Sequence, residues 1–372
     1  NTINNLWVGT LDLAWKDLES KIGKDKIELE ENLQVVNDLN ESRFSKDMLD
    51  KNDYEISVER TLTNGYKIDA TLKKELNFLE VFDNFSDNYE WKFGDSEELI
   101  KYFGINNASS EKMNKNIEIL FYNKIASNNL RSNDFAIKLK TKEGDEIILY
   151  RTDDKKSFDD YYKDIQEKSN SYTESKEFNE DDELRIPYVR VNGMISYNEL
   201  YGKEITNSDG LYIYDVIQNV NFSLNEKGCN LSSKATMVTE YMGIGEDTKY
   251  CYFQDTFIIF MKESNSNAPY FALKVDNTDI LEKKEETDEP KLIDYTALVD
   301  QDKYYKKYLD GVEYKFYEDE NYEYYYPDQK TKVVQVYFKN GDIMTAEDAL
   351  KQEKITINLL DKYEVEYIKK EK

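Results

Sequence analysis

The 372-residue chain contains no histidine. That absence removes Ser-His-Asp and Cys-His catalytic groups, imidazole acid-base chemistry and every His-ligated metal site. Cysteine is nearly absent as well. Cys229 and Cys251 are its two occurrences, outside any C-x-x-C spacing, which argues against zinc and against a thioredoxin-type redox pair. They are either two separate buried thiols or one disulfide closing a loop, and export to an oxidising compartment favours the second. No run approaches the 18 apolar residues of a membrane-spanning helix, and no basic segment precedes an apolar one as in a signal peptide. Basic residues are outnumbered 50 to 76, a net charge of −26, so the surface repels phosphate backbones and anionic lipid. Nucleic acid is therefore not an expected partner. There is no P-loop, no G-x-G-x-x-G, no G-x-S-x-G and no calcium-loop pattern, and Glu180-Asp181-Asp182-Glu183 reads as a solvated acidic face. No pair of carboxylates is marked out for glycoside hydrolysis. We expect no enzyme activity, no cofactor and no metal.

What is present is enough to fold. Hydrophobic residues make up 39% and aromatics 14%, sufficient apolar surface to offset the entropy of ordering. Tyrosine, at 31, exceeds phenylalanine and tryptophan together, at 17 and 3, so broad aromatic surfaces in contact with water are expected. At roughly 150 residues per domain the length allows two domains, or one with an appendage. The chain opens at Asn1 as one trimmed after a secretion signal would, and its Lys, Asn, Glu, Ile and Tyr usage resembles that of AT-rich Gram-positive bacteria. An extracellular or cell-surface location is the resulting expectation.

Periodicity divides the chain into elements. Leu6, Leu11, Trp15, Leu18 and Ile22 fall at helical spacing and predict an amphipathic helix over 6–22. A strand at 66–72 leads into an aromatic run that ends near Phe93, and IEILFYN, FAIKLKT and EIILYRT from 117 to 152 predict a three-strand meander turning at Glu143-Gly144-Asp145. A charged helix is expected over 154–168, a linker or mobile loop over 169–182, and a strand over 184–191 whose Pro187 suits an edge position. The segment from 211 begins as a helix or turn and becomes the alternating strand Val220, Phe222, Leu224. Two strands, YCYFQDTFIIFMKE and YFALKVDN, follow around a Ser/Asn turn.

The charged run LEKKEETDEPK at 281–291 is the strongest shift in composition. It separates an expected body at 1–282, through a linker at 283–291, from a small α+β domain at 292–372. There YEYYYPDQKTKVVQVYF predicts two strands about a turn at 327–330, Thr345-x-x-Asp348 signals a helix, and the ending resembles those of certain Gram-positive surface proteins and lipoproteins. The tyrosines from Tyr304 to Tyr326 are either a carbohydrate- or peptide-binding platform or a half-buried sheet face.

Six segments of the body, in order, resemble the serpin family. Val216-Ile217-Gln218-Asn219-Val220-Asn221-Phe222-Ser223-Leu224-Asn225-Glu226-Lys227-Gly228 is similar to the strand that leads into the reactive loop of serpins. LKKELNFLEVFDNF at 72–85, EIILYRTDDKKSFDDYYKDI from 146, Ile186-Pro187-Tyr188-Val189-Arg190-Val191, and the pair at 253–260 and 269–277 resemble other serpin strands. Departures are Thr256 where the family usually has proline, a missing glycine at 272–274, and no clear helix set between 23 and 66. The resemblance implies an α+β body of mixed β-sheets with packed helices.

It also implies a protease inhibitor, or a non-inhibitory binding or surface module on the same fold. In inhibitory serpins the cleaved loop inserts into a sheet as a new strand. Counted from Gly228, the hinge holds Ser232, Ser233, Ala235 and Thr236, small residues that suit insertion, along with Leu231 and Lys234, which do not. The same count sets Tyr241 before a scissile Met242-Gly243, suited to chymotrypsin-, elastase- or subtilisin-like targets. A Cys229–Cys251 bond would tie the ends of this loop. The non-inhibitory module is the expectation here, with a serine protease or an extracellular protein or polysaccharide as partner.

Overall fold

In the computed structural model the chain divides into two compact units, Asn1–Lys284 and Glu285–Lys372. The structure describes residues 4–85, 98–105, 115–124, 132–229 and 248–283 (the side chain of 192 excepted), and backbone alone at 89–93, 96–97, 237–238 and in the strands of the second unit.

The first unit opens with β1 (Asn5–Val8), α1 (Gly9–Ile22) and α2 (Gln34–Glu41), then β2 (Tyr54–Arg60), β3 (Gly65–Leu72), β4 (Leu76–Asn77) and β5 (Asp83–Phe85). It continues with β6 (Tyr89–Phe93), β7 (Ser96–Ile100), β8 (Tyr102–Ile105), β9 (Ile117–Tyr122), β10 (Phe135–Lys140) and β11 (Glu146–Arg151), followed by α3 (Phe158–Ser171). Then come β12 (Glu183–Pro187), β13 (Val189–Ser196), β14 (Tyr212–Leu224), β15 (Gly228–Cys229), β16 (Met237–Val238), β17 (Tyr250–Tyr252), β18 (Phe257–Lys262) and β19 (Phe271–Val275).

The largest sheet has six strands in the order β1-β19-β18-β11-β10-β9, all antiparallel. Its inner face, with Ile147, Leu149, Phe257 and Ile259, enters the main core, whereas Ile148, Tyr150, Ile258 and Phe260 alternate to the other side beneath α3. A five-stranded sheet, β16-β5-β8-β12-β17, gives Phe103, Leu184 and Ile186 to the same core. The third sheet, β13-β14-β3-β2, is covered on one face by α1 and α2. Leu11, Ala14, Trp15 and Leu18 recur at helical spacing and pack on Val58, Ile68, Ile213 and Val216. The Trp15 indole N–H donates to Asn40 Oδ1 at 2.9 Å, which ties α1 to α2, and Gly23, at φ +67°, ends α1 in the left-handed cap that favours glycine.

Several sequence expectations need correction. Residues 6–8 are strand, not helix, because a partner some 270 residues away pairs with them, Leu6 opposite Leu273. The segment 169–182 is anchored: Ile119 N–H donates to Lys176 O, Phe178 is buried, and Asp182 accepts from the backbone of Asn179 and Lys249. The expected strand over 184–191 is two strands of different sheets, parted at buried Tyr188. Pro187 is not at a sheet edge; β12 pairs with β8 on one side and β17 on the other, and the proline is tolerated as the last residue, beyond the reach of β17. The segment from 212 is strand throughout. The charged helix begins at Phe158, where the Ser157 hydroxyl caps it by accepting from Asp160 N–H.

The second unit contains β20 (Tyr305–Leu309), β21 (Val312–Glu318), β22 (Tyr322–Tyr326), β23 (Gln335–Tyr337), β24 (Ile343–Thr345) and β25 (Glu366–Lys369). The strands about 327–330 are not partners: β22 pairs with β21 and β25, and β23 with β24. The register of β20-β21-β22-β25 sets Tyr317, Tyr324 and Tyr367 in one row across three strands. The helix signal after Thr345 lies outside the described residues.

Candidate functional site

The base of the expected reactive loop is well defined. β14 ends at Leu224, and the chain reverses at once: Asn225 N–H donates to Gly228 O at 2.9 Å, Gly228 N–H to Asn225 O at 3.1 Å, and Lys227 N–H to Asn225 Oδ1 at 2.9 Å. Gly228 then pairs with Asn77 and Cys229 with Leu76. Gly228 has φ +137°, and a Cβ there would fall 2.1 Å from Leu76 O, so no other residue fits without moving the backbone. Phe78 N–H donates to Lys227 O and Phe82 N–H to Glu226 O, which fastens the turn to the chain after β4. Glu226 is buried, and burial together with its carboxylate pushes the Tyr188 phenol well above the ordinary range.

Of the residues singled out from sequence, Gly228, Cys229 and Cys251 are brought into the fold. Ser232, Ser233, Lys234, Ala235, Thr236, Tyr241, Met242 and Gly243 lie outside the described residues, as does Leu231. The disulfide alternative is corrected: Cys229 and Cys251 are separate thiols, both buried. They occupy strands of different sheets, Cys229 with its Sγ 3.9 Å from Met261 Sδ and Cys251 in β17 beside Leu184. Burial raises the pKa of both thiols, which leaves little thiolate for exchange.

Charged groups elsewhere are spent on structure. Lys74 Nζ sits among Asp53 (2.6 Å), Asp145 (3.0 Å) and Glu263 (3.1 Å), with Tyr270 OH donating to Asp145 at 2.7 Å. This ammonium fills the position a cation would take among three carboxylates. Within the acidic run 180–183, Asp182 is consumed by the turn and by Lys249. Among the described residues no group of three or more Asp, Glu or Cys side chains is arranged to hold a metal.

A feature the sequence reading missed lies on the other face of the β13-β14-β3-β2 sheet. A turn at 61–64 joins β2 directly to β3, so among the described residues no helix covers that face. It presents Glu55, Ser57, Lys67, Asp69, Thr71 and Asn219, by register and alternation opposite the side buried on α1 and α2. At its lower end Tyr201 and Tyr214 are 61% and 41% exposed, their ring centroids 5.8 Å apart and the planes at 56°. The available signal is the pair Ile213 and Val216, whose separation by three positions has the spacing of a helix but on a strand marks a bulge.

No protein-family model matches the chain, and no curated protein matches it. Several solved serpins superpose on part of it. Serpin48 of the insect Tenebrio molitor, described as highly specific, is 10% identical with a TM-score of 0.36 over 58% of this chain and 57% of its own. Thyroxine-binding globulin in complex with thyroxine is 10% identical with a TM-score of 0.39 over 56% of each chain. The serpin of Schistosoma mansoni is 13% identical with a TM-score of 0.36 over 57% of this chain and 55% of its own. These likenesses are partial, and the α+β character of the body rests on its own sheets and helices. The chain spans a little over half the length of the serpins it matches, and their activities do not transfer with the fold.

Proposed function

We propose that this protein is a non-inhibitory binding module built on a serpin-like body, without catalytic activity. The observation that carries the reading is the one-sided sheet containing β14. A cleaved loop entering beside β14 has to separate seven register pairs, from Tyr212↔Gly65 to Asn219↔Thr71. Its new partner would be β3, only 8 residues long, and among the described residues helices cover only one face. The outward side chains of an inserted strand would therefore stay in water, and the hydrophobic gain that drives such a transition is confined to one side. The anchored turn at Gly228 and the buried Cys229 oppose release of the hinge in the same direction. The reading includes the extracellular or cell-surface location expected from sequence.

The test is incubation with subtilisin and with chymotrypsin, followed by denaturing electrophoresis and thermal melting of the nicked protein. We expect cleavage without a covalent complex and a melting point within a few degrees of the intact protein. An SDS-stable complex, or a nicked form melting tens of degrees higher, would establish inhibition at or near Met242-Gly243 and overturn the proposal.

A further inference from the structure

We propose that the face of the β13-β14-β3-β2 sheet left uncovered by helices among the described residues binds a neutral polysaccharide, with Tyr201 and Tyr214 as its stacking platform. The inference rests on the reading of the protein as a binding module and supplies its ligand class.

Two backbone irregularities converge on this tyrosine pair. The register between β14 and β3 shifts between Ile213 and Asp215, so Tyr214 and Asp215 occupy the space of one residue while Ile213 and Val216 both stay buried against the helices. A bulge of this kind re-aims a side chain, and here it turns Tyr214 out to solvent. On the neighbouring segment Gly202, at φ +69°, turns the chain just after Tyr201, and its N–H donates to Ile213 O at 2.7 Å. That bond sets Tyr201 beside Tyr214. A half-exposed aromatic pair held by a bulge and a left-handed glycine is a costly arrangement for stability alone, since both rings forgo burial.

The surroundings specify the ligand. From the tyrosines the face continues along β14 past half-buried Ile217 to Asn219, with exposed Met194 beside it, and to exposed Asn221, and across to Thr71 and Ser57; its short polar side chains donate and accept hydrogen bonds. Its carboxylates, Glu55, Glu59, Asp69 and Asp215, outnumber its cations, Lys67, Lys73 and exposed Arg190, and the two lysines are paired with Asp69 and Glu55. Such a face repels nucleic acid, sulfated or phosphorylated glycans and anionic lipid. A neutral sugar chain suits it, with C–H faces to lie on the tyrosine rings and many hydroxyl donors for the carboxylate and amide oxygens.

The test is depletion of the full chain by insoluble cellulose, chitin, starch and mannan, with immobilised heparin as the polyanion control. Tyr201→Ala/Tyr214→Ala is compared with Tyr214→Phe, which keeps the ring; both sites are exposed, and thermal melting checks that each variant folds. We expect at least one neutral polymer to retain the protein at 0.5 M salt, the double alanine variant to bind ~10-fold more weakly, and Tyr214→Phe to stay within about twofold of the parent. No retention by any neutral polymer, salt-sensitive retention by heparin alone, or retention indifferent to the double variant would each overturn the inference. Self-association lost in the double variant would assign the face to a second copy and overturn it too. A covalent protease complex sinks the binding-module reading, whereas absence of both complex and glycan binding sinks only the ligand class.

Discussion

The Trp7 indole N–H donates to Asp12 Oδ1 at 3.2 Å, joining the last residues of β1 to the first turn of α1 in a place nearly closed to water. Ser42 Oγ donates to the other oxygen of the same carboxylate. Burial outweighs these bonds and the nearby Lys16 charge, and raises the Asp12 pKa from 3.8 to about 6.

A pH dependence follows. Between pH 4 and 6 the folded state holds a proton at Asp12 that the unfolded chain has released, so stability contributed at this site falls as pH rises through that window and is lowest above it. Asp12→Asn removes the buried charge. We expect it to stabilise the protein at pH 7.5, by at most about 3 kcal/mol, and to have a much smaller effect at pH 4.5, as read by urea unfolding at both values. An equal effect at the two pH values would refute the assignment.

Gly228→Ala sets a Cβ against Leu76 O in a backbone region that only glycine adopts readily. A loss of about 2 kcal/mol or more is expected. Gly193→Ala is the control, since a Cβ there meets nothing within 4 Å. If the two variants melt together, the loop base is not rigid.

Removing the ammonium in Lys74→Met leaves Asp53, Asp145 and Glu263 facing one another, with Asp145 almost fully buried. The expected cost is ~3–5 kcal/mol, and adding Asp145→Asn should recover part of it. Denaturant unfolding of the two variants decides the point, and a neutral single variant would mean that the cluster is solvated.

Both thiols should be silent toward a thiol reagent in the native protein and both should react after unfolding, with no mass change on reduction. A gain of two protons on reduction would show that the cysteines are joined.

The parts of the fold that could be read from sequence are those governed by near neighbours. The β9-β10-β11 meander announces itself because Ile147 and Leu149 alternate with Ile148 and Tyr150 on a sheet packed on both sides, and because Gly144 turns the chain. Partners far along the chain leave no such trace. Nothing within 5–8 says that the strand will find 271–275, and nothing near Pro187 says that β17 stops short of it. The tyrosine platform was hidden for a different reason. The bulge at Tyr214-Asp215 separates two inward residues by three positions, which on a list of letters is the spacing of a helix. At the loop, sequence located Gly228 but not the crowding by Leu76 O that makes it necessary.

The pairing of β1 with β19 has a kinetic side. Asn4 Oδ1 accepts from the backbone of both Asp276 and Asn277, so the two ends of the first unit are bonded to each other. On a ribosome the six-stranded sheet cannot close until residue 277 has emerged, and β3 waits likewise for β14. Pairings of such long sequence separation make folding slow and leave unpaired strand edges open to misassociation meanwhile. The adjacency also offers a remedy: a circular permutant of the body that links Asn277 to Asn4 through a short bridge and opens the chain at the exposed 61–64 turn would make the β1–β19 pairing local.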